Sequence, residues 1–582
     1  MRRRIQQSCR KLVSGNVSRS CTPTLLFFFS LAVYALTMDR SVSWWDCGEF
    51  ITTGYGLQVG HPPGAPFYQL VTHCFMLLSF GNPLWVAPLS NFVSVLCASF
   101  TVLILYKTIL LLLDRPATDG HHSTFKTQIP ALVGALCYLF CDTAWFSAVE
   151  SEVYSMAMLF CALDVWLILL WRRNSNPRLL LLLSLLLGLG VCVHLMTLLV
   201  VPALLWIYLR SPRTLKHFCL AIPFFLLGLS PYAIVPIRAA ANPPVNQMGD
   251  SFIAYVKRDQ YPKAPLYPRL WRERDAKHWA DWIPTDTPDT ASLVDNSLYY
   301  LSYQFGYMYC RYLMYNYIGR ENLKHHRTVV FILPFLLGLA GLVTQWRRRR
   351  RSDLLFVTLL FLFGGIVLNI YLNHPCYEPR ERDYAYILSF YAFAIWIGIG
   401  VSTILRQRWQ WLMLLAPMLM ALGNWSDHNR SHCHSVHDIA LNHLQSCDSG
   451  AILLAFGDND TFPLWYLQQV EHHRTDIDIH NINLEGYRKT WEMLDSNNFQ
   501  RPVYLTQYAC DRLAQFYPGR LRCEGFCWRL LPSPEGADDT RPLQRHIAQS
   551  IQWNITPSEY LDPVSRSFLN IWLHNTTARP LP

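Results

Sequence analysis

Long apolar runs separated by short basic clusters constrain the fold of this chain more than any other feature. Of its 582 residues, 52% are hydrophobic and only 15% are charged, whereas soluble domains carry roughly a quarter of charged residues. A run of about 20 apolar residues crosses the hydrocarbon of a bilayer as a helix. The sequence therefore predicts a polytopic α-helical membrane protein.

We predict about eleven membrane spans from the lengths of the apolar segments. The run 66–80 is apolar, but it follows a His-Pro-Pro-Gly turn and contains His73, so we expect a juxtamembrane helix there. The stretch 178–210 lies between basic clusters and is expected to form two short helices. The predicted spans are 22–37, 84–106, 129–147, 153–171, 178–194, 196–210, 218–236, 327–345, 354–372, 384–405 and 410–424.

The basic residues indicate topology rather than nucleic-acid binding. The formal net charge is +10, and Lys and Arg cluster at the ends of apolar runs, at 2–4, 172–173, 210–216 and 347–351. Cytoplasmic loops of membrane proteins carry an excess of Lys and Arg. We therefore place the N-terminus and these clusters inside, and the loops with acidic motifs outside. A nucleic-acid partner is not expected.

The chain is expected to have two domains, a membrane module over 1–424 and an extracytoplasmic α/β domain over 425–582. Short strands at 451–456, 476–482 and 502–506, with a helix at 462–470, favour a parallel strand-helix-strand unit. The loop Gly457–Thr461 follows the first strand and is either an ordinary turn or a ligand-binding loop. Cys510, Cys523 and Cys527 are buried thiols, a disulfide or part of a zinc site.

The first outer loop carries two carboxylates, Asp46 and Glu49. Residues three apart share one face if the loop opens a helix. When two carboxylates lie close together, the pKa of one of them rises, and the pair can then serve as a base or a metal ligand. Alternatively, the two negative charges complement the helix dipole. Both interpretations stay open on the residues alone.

Other ionisable residues fall on the same predicted side of the membrane, which suggests one site. Arg380 and Arg382 stand at an outer face against the positive-inside bias, and binding of a phosphate would explain them. Glu150 and Glu152 either cap a span beside aromatic residues or add acidic groups to the site. The remaining substrate-binding candidates are His61, Tyr154, His194, Arg238 and Asp383; no metal ligands are assigned.

Several motifs in one order resemble the GT-C superfamily of glycosyltransferases. They are similar to a bacterial family related to the eukaryotic O-mannosyltransferase of plexin-type immunoglobulin-like domains. The motifs are Trp45-Asp46-Cys47-Gly48-Glu49-Phe50, Gly60-His61-Pro62-Pro63-Gly64, Ala148–Tyr154, Gly190–Leu195, Pro379–Tyr384 and Gly457–Phe462.

The resemblance implies a GT-C-like fold and transfer of a sugar, mannose in the related enzymes, from a polyprenyl- or dolichyl-phosphate carrier. The expected acceptor is a Ser or Thr hydroxyl of a secreted or membrane protein. By position Asp46 is the expected base, with Glu49 second. The expected location is the bacterial inner membrane, or the endoplasmic reticulum in a eukaryote. No cofactor is assigned, and a divalent metal stays open. Alternatives are a lipid-linked sugar flippase or a membrane scaffold.

Overall fold

The computed structural model describes a helical membrane module followed by a small domain with a sheet. The described residues are 21–114, 125–211, 215–282, 291–322, 327–328, 330–348, 351–377, 380–404 and 407–534. The ends of the chain and the basic clusters at 2–4 and 349–350 lie outside this description.

Five helical stretches among the described residues are long and apolar enough to cross a membrane, and a bent pair could make a sixth. The bent pair, Thr127–Leu139 and Asp142–Ala148, turns by 65°. Three apolar helices are shorter: Thr22–Thr37, Pro177–Val191 and Leu195–Arg210. The membrane class of the chain is confirmed, whereas the count of eleven spans stays a prediction. The five long stretches are Pro83–Leu113, Val153–Asn174, His217–Ala240, Arg351–Leu372 and Asp383–Thr403.

The helix boundaries follow local sequence signals such as proline in the first turn. The α-helices up to residue 282 are Thr22–Thr37, Cys47–Gly56, Pro66–Met76, Val86–Leu113, Phe125–Leu139, Asp142–Ala148, Val153–Asn174, Pro177–Val191, Val201–Arg210, Leu215–Gly228, Ile234–Ala240, Phe252–Lys257 and Glu273–Trp282. Those that follow are Leu293–Leu298, Arg311–Tyr317, Leu333–Arg347, Arg351–Gly364, Ile366–Leu372, Ile387–Ile404, Leu415–His428, Ser435–Gln445, Asp458–Gln469, Ile482–Glu485, Tyr487–Asn497 and Gln507–Leu513. A π-helix covers Tyr299–Cys310. Short 3-10 helices are Leu77–Ser79, Pro83–Trp85, Leu195–Val200, Ser230–Ala233, Asp383–Tyr386, Gln407–Leu414 and Ala514–Phe516.

Glycine allows the closest helix packing in the module. A Cβ atom added at Gly341 would lie 1.9 Å from the carbonyl oxygen of Trp396, and one at Gly400 would lie 2.0 Å from that of Leu337. The helices Leu333–Arg347 and Ile387–Ile404 therefore approach backbone to backbone. Small residues permit such contacts in membranes, where packing rather than hydrophobicity holds helices together.

The C-terminal domain, residues 429–534, contains a five-stranded sheet. The strand order is Asp478–Asn481, Ile452–Ala455, Val503–Leu505, Cys527–Leu530 and Leu521–Glu524. The first three strands are parallel, as predicted, and the last two form an antiparallel hairpin that was not predicted. A helix, Asp458–Gln469, follows the strand Ile452–Ala455. It begins four residues earlier than the predicted helix at 462, since the loop Gly457–Thr461 forms its first turn.

Two of the three cysteines singled out in this domain are buried. Among the described residues, Cys510 and Cys527 form no disulfide, and Cys523 is only partly buried. Burial raises the pKa values of Cys510 and Cys527 above the ordinary thiol range. The first of the three predicted alternatives, buried thiols, describes Cys510 and Cys527.

Candidate functional site

The helix Cys47–Gly56, called here the acidic helix, places Asp46 at its N-cap position. The Asp46 side chain makes no capping hydrogen bond. Its carboxylate instead lies 3.5 Å from a guanidinium nitrogen of Arg380. Trp45, immediately before it, has a positive φ of 63°, which is unusual for a bulky residue. The chain therefore turns sharply at the motif and directs Asp46 away from its own helix.

Arg380 is held between two aromatic rings and one carboxylate. Its guanidinium carbon lies 4.6 Å from the ring centres of both Trp45 and Tyr384. Burial lowers the pKa of Arg380, but the Tyr384 and Asp46 side chains more than offset this and raise it well above its ordinary value. The side chain is only 11% exposed. Arg380 is thus a fixed positive charge, oriented by stacking as well as by charge.

A small open cleft of about 50 Å³ lies beside this arginine. Its lining includes both aromatic side chains and carboxylates. Clefts of this kind, with a few convergent polar groups, are common ligand sites. The lining residues are Trp45, Asp142, Thr143, Phe146, Ser147, Glu150, Glu152, Tyr154, Arg380, Glu381, Asp383 and Tyr384.

Glu152 is a buried carboxyl group whose hydrogen-bonding capacity is only partly used. The residue is 3% exposed, and its Oε2 atom has no hydrogen-bond partner among the described residues. Burial, followed by the negative charge of Asp46, raises the pKa of Glu152 well above its ordinary value. A protonated carboxyl group can donate a hydrogen bond to an anion or to a sugar oxygen in the cleft.

Glu150 belongs to a buried ion-pair network. Arg430 from beyond the last membrane helix donates a hydrogen bond to Glu150 at 2.6 Å and lies 3.5 Å from Asp39. Cys47, Glu150 and Glu152 are close enough to share a metal ion, with ligand atoms within 4.8 Å of one another. However, Arg430 already neutralises Glu150, and burial raises the pKa of the Cys47 thiol. A metal bound there would have to displace Arg430 from Glu150 and bind the thiolate form of Cys47.

Glu49 has a different environment from Asp46. It is fully buried and accepts hydrogen bonds from the His61 backbone N–H at 2.8 Å and from the Gln247 amide at 2.6 Å. The His61 ring also bonds to it. Burial lowers the pKa of His61, but the Glu49 charge outweighs this and raises it to about 10. Glu49 therefore holds the His61-Pro62 turn against the acidic helix.

Two of the other predicted residues, Tyr154 and Asp383, line the cleft, and His194 packs behind Tyr154. Tyr154 packs against His194, with ring centres 5.5 Å apart, and against Tyr384 at 4.5 Å. Burial, with a contribution from Arg258, lowers the pKa of His194 to about 4, so its ring is neutral. Asp383 accepts a hydrogen bond from Thr143 at 2.5 Å.

Two predicted arginines make contacts outside the Asp46–Arg380 pair. Arg238 donates to the backbone carbonyls of Leu57 at 2.6 Å and Gly56 at 3.1 Å. It thereby closes the C-terminal end of the acidic helix and is not among the residues lining the cleft. Arg382 donates to the Tyr384 hydroxyl at 2.6 Å, and in this way fixes the ring that stacks on Arg380.

Several cleft residues were not predicted from the sequence. Asp142 and Thr143 were placed inside a span, and the 65° bend after Leu139 brings them to the cleft instead. Glu381 pairs with both guanidinium ends of Arg311, at 2.9 and 2.7 Å. A signal for Asp142 was present, since a carboxylate in an apolar run is costly and usually marks a function.

The helix Asp458–Gln469 of the C-terminal domain, called here the tail helix, packs directly on the acidic helix. The Trp45 backbone N–H donates to the Asn459 side chain at 2.5 Å. A Cβ atom at Gly48 would lie 2.7 Å from the carbonyl carbon and oxygen of Phe462. Glycine at position 48 therefore permits this close approach, which packs the tail helix against the acidic helix next to Asp46.

Comparisons with known proteins agree with this architecture. Residues 46–217 match the family model described as Protein O-mannosyl-transferase TMEM260 N-terminal domain, and residues 436–491 match TMEM260-associated domain 2. The Protein O-mannosyl-transferase tmem260 of Dictyostelium discoideum is 23% identical over 526 residues, which cover 82% of this chain and 59% of the relative. The mouse Protein O-mannosyl-transferase TMEM260 is 23% identical over 488 residues, 78% of this chain and 62% of the relative.

A solved structure shares the fold. The crystal structure of ArnT from Cupriavidus metallidurans bound to undecaprenyl phosphate superposes with a TM-score of 0.51 at 11% identity, and the match covers 89% of this chain and 99% of that one. This chain spans about three fifths of the length of the curated relatives it matches. Matched domains, relatives and fold agree: the chain is a helical membrane protein that shares the fold of ArnT and is similar in sequence to the TMEM260 protein O-mannosyl-transferases.

Proposed function

We propose that this protein transfers a sugar, mannose, from a polyprenyl-phosphate carrier to a Ser or Thr hydroxyl of a protein. The observation that carries the proposal is the pair formed by Asp46 and Arg380, 3.5 Å apart; Arg380 and Trp45, the neighbour of Asp46, line the cleft. It puts a candidate base beside a fixed cation, as the displacement of a phosphate requires. The names of the relatives support the reaction class, and the undecaprenyl phosphate bound to ArnT, which shares the fold, supports a lipid-phosphate ligand.

In the proposed reaction the acceptor hydroxyl oxygen attacks the anomeric carbon of the sugar. The bond between that carbon and the phosphate oxygen breaks, and its electron pair stays on the leaving lipid phosphate. The hydroxyl proton passes to the Asp46 carboxylate. Asp46 suits this role because it is 20% exposed and forms no capping bond, so an acceptor can reach it.

Arg380 would bind the carrier phosphate and stabilise the negative charge that remains on it. A guanidinium fixed between Trp45 and Tyr384 needs little reorganisation when this charge develops. Binding of the phosphate would also separate Arg380 from Asp46 in part, which leaves the carboxylate free to accept the hydroxyl proton. Glu152, whose pKa is raised by burial, would in its protonated form donate a hydrogen bond to the phosphate or to a sugar hydroxyl.

Glu49 would hold the structure around Asp46 in place and would not contact the substrate. Its carboxylate is fully buried and engaged by His61 and Gln247. In this proposal Glu49 fixes the acidic helix and the following turn, so the second carboxylate of the motif is a positioning residue. The donor lipid would lie in the membrane with its phosphate at the cleft, on the extracytoplasmic side of an endoplasmic reticulum or bacterial inner membrane.

The test is sugar transfer by the full chain in lipid nanodiscs, with dolichyl-phosphate mannose and an immunoglobulin-like acceptor domain of plexin type. The Asp46→Asn variant should lose about 100-fold or more of the rate, the usual contribution of a general base. Arg380→Lys should bind the donor more weakly, since a lysine cannot stack on both rings in the same way.

A matched control is Asp259→Asn, which removes an exposed carboxylate whose salt-bridge partner, Lys263, lies only four residues later in the chain. This variant should keep the wild-type rate. Full activity of a folded Asp46→Asn protein would exclude Asp46 as the base. A wild-type protein that binds dolichyl-phosphate mannose but transfers nothing to any hydroxyl would refute the proposed reaction.

A further inference from the structure

Asp458 is a carboxylate that the C-terminal domain brings next to the proposed base. It is the first residue of the tail helix, directly after the loop at the carboxyl end of the strand Ile452–Ala455. The next residue, Asn459, accepts the hydrogen bond from Trp45, the neighbour of Asp46 in sequence. The hydrogen bond between Asn459 and Trp45 thus places Asp458 near Asp46.

The fold itself makes no use of the Asp458 carboxylate. Among the described residues no hydrogen bond or ion pair is formed with it, and it is partly exposed. Asp460, two residues later, provides the contrast: it is 4% exposed and accepts hydrogen bonds from the Phe456 N–H at 2.8 Å and from the Thr506 hydroxyl. Asp460 stabilises the loop, whereas Asp458 is left available for a ligand.

The charges around Asp458 are those of the proposed site. Burial, followed by the negative charge of Asp46, raises the pKa of Asp458 to about 6, while two cations act in the opposite direction. The positive end of its own helix would lower this pKa. Because the pKa is raised instead, burial and the charges of the proposed site outweigh the helix dipole. The charged groups that shift the pKa of Asp458 are Asp46, Glu49, His61 and Arg380. Asp458 in turn raises the pKa of Tyr261.

We propose that Asp458 binds the acceptor polypeptide, by accepting a charge-assisted hydrogen bond from a backbone N–H beside the reacting hydroxyl. The proposal rests on the proposed function. The lipid donor would reach the cleft from the membrane, while a protein acceptor comes from water, and the C-terminal domain is the part of the chain that the sequence predicts to lie outside the membrane. Asp458 then orients the acceptor while Asp46 takes its proton.

This assignment makes the C-terminal domain part of the site rather than an accessory. The contacts of Asn459 with Trp45 and of Phe462 with Gly48 fix where Asp458 stands relative to Asp46. A charged hydrogen bond contributes about 1.5–3 kcal/mol, so its loss should weaken acceptor binding roughly 10- to 100-fold.

The experiment compares Asp458→Asn, Asp458→Glu and the control Asp495→Asn in the full chain in nanodiscs. Asp495 is an exposed carboxylate on the helix Tyr487–Asn497 of the same domain. Initial rates are measured against the concentration of the immunoglobulin-like acceptor at saturating dolichyl-phosphate mannose. Asp458→Asn should raise KM for the acceptor about tenfold or more, with donor binding and the thermal midpoint unchanged. Asp458→Glu should restore part of the affinity, and Asp495→Asn should match the wild type.

The pH profile supplies a second readout that a purely structural role would not change. In the wild type KM for the acceptor should rise as the pH falls through about 6, since protonation removes the charged acceptor of the hydrogen bond. This dependence should be absent from Asp458→Asn. An unchanged KM in that variant, or an equal loss of donor binding, overturns the assignment. A wild type that transfers no sugar refutes the underlying reaction instead, which separates the two failures.

Discussion

The contact between the acidic helix and the tail helix makes a sharp prediction for Gly48→Ala. The added Cβ atom would lie 2.7 Å from the carbonyl carbon and oxygen of Phe462 and 3.0 Å from the nitrogen of Pro463. All three are backbone atoms, so no side-chain rotation relieves the contact. The two helices must separate by about 0.7 Å to restore ordinary van der Waals distances.

The cost of Gly48→Ala follows from the packing and from the helix. Overpacking of a well-packed contact destabilises by about 1–3 kcal/mol. Alanine recovers part of this through its higher helix propensity, at most about 1 kcal/mol and less in a first turn. We expect a net loss of about 1–2 kcal/mol. Since the shift moves Asp458 relative to Asp46, transfer should fall about tenfold, because small displacements of reacting groups are costly.

The assay combines thermal unfolding of the full chain in nanodiscs with the initial rate of sugar transfer. Gly81→Ala serves as the control: its Cβ would meet nothing within 4 Å, but its φ of +83° strains an alanine. This variant should lose about 1 kcal/mol from backbone strain and keep its rate. A Gly48→Ala protein with the wild-type midpoint and rate would show that the two helices do not pack as described.

Two further changes test the buried charges around the site. Glu49 raises the pKa of His61 from 6.5 to about 10. The stabilisation from this pair should therefore be complete below about pH 6.5 and fall as the pH rises through about 10. The thermal midpoint, measured between pH 7 and 10.5, should fall accordingly in the wild type, and this pH dependence should be absent from His61→Gln. Arg430→Met leaves Glu150 buried without its partner at 2.6 Å, which should cost about 3–5 kcal/mol of stability, and addition of Glu150→Gln should recover part of the loss. Equal unfolding midpoints for the wild type and Arg430→Met would contradict the network.

The sequence predicted the features that depend on neighbouring residues. The hydropathy of apolar runs identified a membrane protein, and period and turn signals located the three parallel strands near 452, 478 and 503. The motif order also drew attention to Asp46 and Arg380, which the structure brings within 3.5 Å although 334 positions separate them. These features follow from local chemistry, because hydrophobicity and helix or strand preference belong to short segments.

The roles of Asp46 and Glu49 could not be separated from their spacing. Helical periodicity predicted one shared face, but Asp46 precedes the helix as its N-cap and meets Arg380, while Glu49 lies inside the first turn and meets His61. The difference comes from the backbone turn at Trp45 and from partners distant in sequence. No local pattern contains these partners.

The docking of the C-terminal domain was decided by the tertiary structure alone. The sequence by itself determined that the chain enters a membrane, that an acidic motif follows its first helix, and that a small α/β domain follows the last one. Tertiary packing decided that Gly48 lies against Phe462 and that Asn459, the neighbour of Asp458, binds Trp45, the neighbour of Asp46. The physical reason is that hydropathy and periodicity are properties of segments, whereas a site is made where surfaces far apart in sequence fit together.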